Sequence, residues 1–336
     1  MEIEHRTKLT SAEISQIWSA YQNDTLSACV LEYFLQHVED RDIASSIEQA
    51  LQITQSHIQS LETFFREEKF PLPQGFTGGD VNPEAPRLFS DSFMLYYIHQ
   101  IGMLGMNASS MAVTLSVRPD IHDYFSRTMR EYQQVHETAT RLLLEKGLYI
   151  RPPYIPVPKK VNFITSHDFF GGGMAENRPL IALEISNLYG NIQRNSLGRA
   201  LLTGFAQVAQ SQQVRKYLVR GKEIAAKHLD IFSSVLNKDD LPASVSWDTE
   251  VTASTVAPFS DKLMMFHTTA LIAIGIGYYG TSLSTCLRKD LAANYSRLTA
   301  EIVKYSADGA KLMIDKGWME EPPQAADRDQ LMKKKG

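Results

Sequence analysis

The sequence predicts an all-α protein made of two tandem four-helix bundles, each with one long crossover between its second and third helices. Three observations lead to this fold class. The chain contains an internal repeat, and each repeat holds four segments whose apolar residues recur with helical spacing. In both repeats the links between these segments are short, then long, then short. The shared pattern predicts two domains of one fold.

Residues 9–153 and 180–323 are the two copies of the repeated module. A register shift of 171, and of 170 after one residue is lost in the middle, aligns them with many identical residues. The identical pairs include Glu13 and Glu184, His57 and His228, Ser90 and Ser260, Asp91 and Asp261, Arg118 and Arg288, and Glu131 and Glu301. We therefore expect domains at residues 1–153 and 180–336, joined by a Pro- and Gly-rich linker at residues 154–179. Within that linker, Gly171-Gly172-Gly173 is expected to act as a hinge.

The first two helices of the module are read from apolar spacing. Helix 1 is predicted from about Ser11 to His37, with apolar residues three and four positions apart. Asp40-Arg41-Asp42 turns the chain, and helix 2 follows to about Lys69. Its heptad register places His57 on the core face. The short link makes the two helices antiparallel neighbours.

The third and fourth helices carry end signals. Helix 3 begins at Ser90-Asp91, where a hydroxyl and a carboxylate can cap the amide end of a helix. Helix 4 begins near Asp120 and ends at Gly147, in the position that favours a left-handed residue. The second module repeats both signals, at Ser260-Asp261 and at Gly317.

The long links decide the topology. Residues 70–89 and residues 237–259 are irregular, and such a link between the middle helices of a bundle must run the length of that bundle. This is the ferritin-like arrangement. We also expect the two modules to pack about an approximate two-fold axis, as an internal pseudo-dimer.

Composition excludes several classes of protein. The 336 residues carry a formal charge of -4, with 43% hydrophobic and 21% charged residues, which does not indicate a nucleic-acid partner. The basic cluster Lys333 to Lys335 is expected to be a solvated tail. Cys29 and Cys286 are not equivalent in the repeat, so no disulfide framework is expected.

Two further features concern localisation. The opening residues 1–6 contain no apolar segment, so the sequence predicts a cytoplasmic protein without a signal peptide. Residues 263–287 are long and apolar enough to span a bilayer, but they include His267 and many Ser and Thr residues. We expect a buried core helix there and no transmembrane segment.

A di-iron carboxylate bundle places a Glu on each of two helices and a Glu-x-x-His on each of the others. The predicted helices here carry no complete Glu-x-x-His. Helix 2 of each module keeps the histidine, His57 or His228, and helix 4 keeps the carboxylate, Glu131 or Glu301. The second module is the poorer metal candidate, because Lys304 would bring a positive charge close.

Two interpretations of these polar core residues stay open. In the first, Asp24, His57 and Glu131 bind one metal ion in the first module. In the second, the histidines are structural, with His57 hydrogen-bonded to Asp24 and His228 to Asn195, a neighbouring hydroxyl or a water. We assign no catalytic residue and expect no cofactor, with a metal as the alternative.

Glycines inside the third helices lower helix propensity, so we expect them to let another backbone approach closely. A second interpretation is that they line a pocket for an apolar ligand. These glycines are Gly102, Gly105, Gly275, Gly277 and Gly280.

A resemblance to a known family rests on the tandem modules and on three strings. These are Phe259-Ser260-Asp261-Lys262-Leu263-Met264, Gly317-Trp318-Met319-Glu320-Glu321-Pro322-Pro323 and Arg178-Pro179-Leu180. They resemble the domain-of-unknown-function 3231 family of spore-forming bacteria. The resemblance implies a ferritin-like fold related to coat-protein-F-type spore proteins and a sporulation-linked setting, without an established reaction.

Three functions are therefore compatible with the sequence. The leading one is a non-catalytic structural or interaction protein, with other spore or coat proteins as partners. The second is a metal-binding protein or oxidase with an atypical site in the first bundle. The third is a binder of a small apolar ligand between helices.

Overall fold

The computed structural model describes residues 7–171, 178–243 and 247–333, and over these ranges the chain forms helices and no β-strand. The first half contains α1 (Ser11–His37), α2 (Arg41–Glu67), α3 (Asp91–Leu115) and α4 (Pro119–Glu145). The second half contains α5 (Ala182–Val208), α6 (Gln212–Lys238), α7 (Asp261–Thr285) and α8 (Lys289–Asp315), and a short α9 (Arg328–Lys333) follows. Short 3₁₀ turns lie at Gly78–Asp80, His167–Phe170 and Asp248–Glu250.

Each helix of the second half begins and ends at the residue that the repeat register assigns to it. Helices α1 and α5 both have 27 residues, and α3 and α7 both have 25. The two predicted glycine ends are confirmed, because Gly147 and Gly317 adopt φ angles of 69° and 66°. The predicted fold class, two tandem all-α bundles, is confirmed. Three predicted features lie wholly or partly outside the described residues. These are the opening residues 1–6, Gly172 and Gly173 of the predicted hinge, and Lys334 and Lys335 of the predicted tail.

Each half is a square of four helices. Helix α1 packs against α2 and α3, and α4 packs against α3 and α2. The second half repeats this order with α5 to α8. Within the described ranges, the buried apolar side chains form three cores. The first outer core, around Ile17 and Phe65, belongs to the first half; the second outer core, around Leu188 and Phe232, belongs to the second; the central core draws on both halves.

The crossovers, residues 70–89 and 241–259, run from an outer core to the central core. Phe70 packs on Phe65 in the first outer core, whereas Phe89 is fully buried in the central core. In the second half, Leu241 packs on the second outer core and Phe259 lies in the central core. The predicted long crossovers therefore span their bundles.

Buried carboxylates hold the short loops of each bundle in place. Glu13, 1% exposed, accepts hydrogen bonds from the backbone N–H groups of Val117 and Arg118, at 3.0 and 2.8 Å. Glu184 does the same for Leu287 and Arg288, at 3.0 and 3.1 Å. These bonds satisfy backbone donors at a helix junction, which explains why the carboxylate is identical in both repeats.

The two halves meet through their crossovers, and the contacts are reciprocal. An antiparallel bridge pairs Val81 with Phe259, and its counterpart pairs Phe89 with Val251. The N–H of Asn82 donates to the carbonyl of Pro258 at 2.8 Å, and that of Thr252 donates to Leu88 at 2.9 Å. In each case, replacing both residues of one contact by their equivalents in the other half, 170 positions away, gives the second contact. Such exchange is what a two-fold axis between the halves requires.

Aromatic side chains fill the space around this axis. Tyr97 and His267 are equivalent positions, and the tyrosine hydroxyl lies 2.6 Å from Nε2 of the imidazole. The ring of Phe89 stacks on Phe93 at 4.2 Å and contacts Phe205 of the other half at 6.4 Å. Gly204 is required here, because a Cβ at this position would lie 2.7 Å from the Phe89 ring.

Because the central core is shared, we expect the two halves to unfold in one cooperative transition. Phe89→Ala should cost about 3–5 kcal/mol, since it leaves a cavity on the axis, and should increase amide hydrogen exchange in both halves. Guanidinium unfolding followed by circular dichroism and tryptophan fluorescence, with exchange mass spectrometry, measures both effects.

Phe65→Ala is the matched control, since Phe65 is 1% exposed but lies in the first outer core. Its effect on exchange should be strongest in the first half. Two separate unfolding transitions in the unmodified protein would contradict the shared core.

Candidate functional site

Each half holds a buried histidine on its second helix that faces a glutamate on its fourth. Nε2 of His57 lies 2.7 Å from Oε2 of Glu131, and Nε2 of His228 lies 2.9 Å from Oε2 of Glu301. The two histidines are 1% and 0% exposed. A buried imidazole needs a hydrogen-bond partner, and this carboxylate supplies it in both halves.

The other ring nitrogen has a different neighbour in each half. Nδ1 of His57 lies 3.8 Å from Oδ2 of Asp24, too far for a hydrogen bond, and Asp24 instead accepts from the Tyr132 hydroxyl at 2.8 Å. In the second half, Nδ1 of His228 lies 2.9 Å from the Tyr279 hydroxyl. The side-chain amide of Asn195 donates to that same hydroxyl at 2.9 Å.

The structure thus brings Asp24, His57 and Glu131 into a row with the imidazole in the middle. The two carboxylates lie at opposite edges of the ring, so an ion on either nitrogen would meet only one of them. Over the described ranges, no group of three His, Cys, Asp or Glu side chains has the arrangement of a metal site. In the second half, Lys227 rather than Lys304 pairs with Glu301.

Burial and neighbouring charges perturb these groups in different directions. Burial raises the pKa of Asp24 to about 6, although His57 and the Tyr132 hydroxyl act against it. Burial lowers the pKa of His228. Burial pushes the pKa of Glu301 upward, but hydrogen bonds from Lys227 and His228 outweigh it and leave this pKa below its ordinary value.

A cavity of about 410 Å³ lies beside these pairs, between α1 and α3 of the first half and α5 and α7 of the second. Its walls are mainly apolar, and Leu104, Leu201 and Leu271 are among the side chains that form them. The charged side chains among its described lining residues are Asp24 and Arg194. Such a cavity suits an apolar molecule with few polar groups.

The two repeats contribute different residues to the wall of the cavity. In α3 of the first half, a Cβ at Gly105 would lie 2.3 Å from the Tyr132 ring, so the ring fills the space beside the glycine. The equivalents in the second half are Gly275 and Ile302. Nothing lies within 4 Å of a Cβ at Gly275, and both residues line the cavity. Tyr132 and Gly105 line the cavity as well, and the smaller isoleucine leaves more space beside its glycine than tyrosine does.

The expected close approach of a second backbone holds for Gly102, where a Cβ would lie 2.7 Å from the backbone nitrogen of His136 in α4. It does not hold for Gly275, Gly277 or Gly280, where a Cβ would meet nothing within 4 Å.

By length and composition, α7 is the helix of the described chain that could cross a membrane, with a mean hydropathy of 1.3 in a window that is 33% buried. Its first turns, with Leu263 and Met264, lie in the central core. Its middle, with Leu271 and Ile274, lines the cavity. Core packing and the cavity account for apolar residues on several sides of this helix.

The His–Glu pairs were not predicted, although the sequence carries a signal for them. Both members are identical between the repeats, as His57 with His228 and Glu131 with Glu301. The residues chosen instead as partners on helix 1, Asp24 and Asn195, differ in charge. A pair kept in both copies is the better candidate for a direct contact.

A family described as "Protein of unknown function (DUF3231)" matches this chain twice, over residues 1–161 and 168–331. No curated protein matches it. Among solved structures, a protein from Bacillus halodurans described as a "putative spore coat protein" is 22% identical, with a TM-score of 0.41. That match covers 45% of this chain and 98% of the other.

We expect Asp24→Asn to stabilise the protein at pH 7 and to leave it unchanged at pH 4. The folded pKa of Asp24 is about 6 against 3.8 for the free group, so the folded state holds the proton more tightly. The stabilising contribution of Asp24 to the free energy of unfolding is therefore present at low pH and is lost as pH rises through 6. The shift corresponds to about 3 kcal/mol at neutral pH.

Urea unfolding at pH 4, 5, 6 and 7 measures this difference. Asn23→Asp, which adds a carboxylate one position away on the exposed side of α1, is the control and should show no such pH-dependent gain. An Asp24→Asn variant that is equally or less stable at pH 7 would contradict the assignment.

We expect His267 to give the opposite dependence of protein stability on pH. Burial lowers its pKa from 6.5 to about 4, so its contribution is present above pH 6.5 and is lost as pH falls toward 4. The variant His267→Gln keeps an acceptor for the Tyr97 hydroxyl, but its side chain cannot titrate. On acidification from pH 7 to pH 4, the variant should therefore lose roughly 3 kcal/mol less unfolding free energy than the unmodified protein. Parallel stability profiles for the two proteins would refute the buried neutral imidazole.

Proposed function

The chain belongs to the DUF3231 family, whose function is unknown, and we propose that it is a non-catalytic protein that binds an apolar molecule in the cavity between its two halves. The observation that carries the proposal is the cavity itself. Its volume of about 410 Å³ lies within the range of small-molecule sites, roughly 300–1,000 Å³.

The packing around the cavity supports this proposal. The cavity is partly open to solvent, so water contacts its apolar walls, and an apolar molecule that displaces this water is stabilised there. Its neighbours α1, α3, α5 and α7 are held by the reciprocal contacts of the crossovers. The site is therefore preformed, which lowers the entropy cost of binding.

A non-catalytic role is favoured by the arrangement of the buried polar groups. The His–Glu pairs occur in both halves and hold the second helix to the fourth, as structural contacts do. The metal-binding or oxidase alternative would need Asp24, His57 and Glu131 to converge on one ion, and their placement at opposite ring edges disfavours it.

The ferritin-like relationship and the spore setting are proposals that rest on the sequence resemblance alone. In that setting, other spore or coat proteins would be the partners, and the paired halves would act as a rigid body that carries the ligand. Detection of the protein in purified spores, against vegetative cells of the same strain, tests the setting separately from the binding.

We expect Gly275→Leu to weaken binding of a neutral polarity-sensitive dye, N-phenylnaphthylamine. The new side chain enters the cavity, because a Cβ at Gly275 has open space around it and this residue lines the wall. The affinity should fall by about tenfold or more. Helix propensity improves by up to about 1 kcal/mol, so loss of folding would not explain the result.

Gly277→Leu is the matched control. Gly277 lies two residues further along α7, is exposed and does not line the cavity. Its dye affinity should equal that of the unmodified protein. Equal binding by both variants, or stoichiometric iron, manganese or zinc in the purified protein that is lost with His57→Ala, would overturn the proposal.

A further inference from the structure

The cavity is lined mainly by apolar groups, and its two charged residues, Asp24 and Arg194, have different polar neighbours. Asp24 accepts a hydrogen bond from Tyr132 at 2.8 Å and lies 3.8 Å from the His57 ring. These contacts partly compensate its charge within the first half, although burial outweighs them. Arg194, on α5, has no such compensation.

The guanidinium of Arg194 is half-buried and makes two contacts. Nη2 donates to Oδ1 of Asn191 at 2.8 Å, and the group lies 3.6 Å from the centre of the Tyr278 ring. In the described ranges no carboxylate lies within ion-pair distance of it. A guanidinium has five donors, and a half-buried arginine on a cavity wall can offer the donors not bonded to protein to an anion. Donor capacity is thus left over at the cavity wall.

The surroundings of Arg194 are fixed and offer it no competing anion. Asn107 of α3 donates to the Tyr278 hydroxyl at 2.6 Å, so the first half holds the ring on which the guanidinium rests. The neighbouring position on α5 that corresponds to Asp24 is the neutral Asn195. The equivalent of Arg194 itself is Asn23, so this positive charge is present in the second half only.

We infer that the ligand is an anionic amphiphile, with an apolar chain in the cavity and one carboxylate or similar head group on Arg194. The inference rests on the proposed function and adds the chemical class of the ligand. A planar guanidinium matches the geometry of a carboxylate, and the pairing is strengthened where water is excluded.

The test compares cis-parinaric acid with its methyl ester at pH 8, where the acid is ionised and the ester is neutral. The unmodified protein should bind the acid about tenfold or more tightly than the ester, the worth of a charge-assisted hydrogen bond. Arg194→Met should remove this preference and leave ester binding unchanged. Arg194→Lys should retain part of the preference, because it keeps the charge but loses the planar fork.

The outcomes separate this inference from the proposed function. If the acid and the ester bind equally and Arg194→Met changes neither, the anionic head group is wrong while the apolar site stands. If neither probe binds, and Gly275→Leu behaves like Gly277→Leu, the apolar site falls as well. Circular dichroism and thermal unfolding of each variant establish that it is folded.

Discussion

The backbone of the two crossovers is the constraint on which the rest of the structure depends. A long irregular link that runs through the interior exposes N–H and C=O groups that must find partners away from water. Here each crossover pairs with its counterpart from the other half, through the bridges of Val81 with Phe259 and of Phe89 with Val251. This pairing sets the relative position of the bundles, brings the apolar residues into one central core and places α3 and α7 on either side of the axis.

Duplication within one chain allows equivalent positions to differ, which two identical subunits could not do. Tyr132 packs beside Gly105 in the first half, whereas Ile302 leaves Gly275 open in the second. Asn23 becomes Arg194, and Asp24 becomes Asn195. The framework stays symmetric because it depends on reciprocal backbone contacts. The cavity is asymmetric because it depends on side chains, which are free to diverge.

The sequence was sufficient to predict the helices, their caps and the length of the crossovers, because apolar spacing, Ser-Asp pairs and terminal glycines act locally and occur twice. It was insufficient for contacts that depend on side-chain direction across a bundle. Asp24 was expected to reach His57, but the Tyr132 hydroxyl takes that carboxylate and Glu131 takes the imidazole. The cavity also escaped prediction, since residues of both halves line it and no local pattern contains the relative placement of the halves.

The pairing of the crossovers also matters while the chain is being made. Phe89 is fully buried in the central core, where it contacts Phe205 and pairs with Val251, and both residues are synthesised more than a hundred residues later. At a ribosomal rate of roughly 5–20 residues per second, the first bundle waits on the order of ten seconds or longer with an apolar edge uncovered. Nascent first halves on neighbouring ribosomes of one mRNA present the same edge to one another. Until its own second half emerges, each ribosome-bound chain can therefore pair with the first half of another chain.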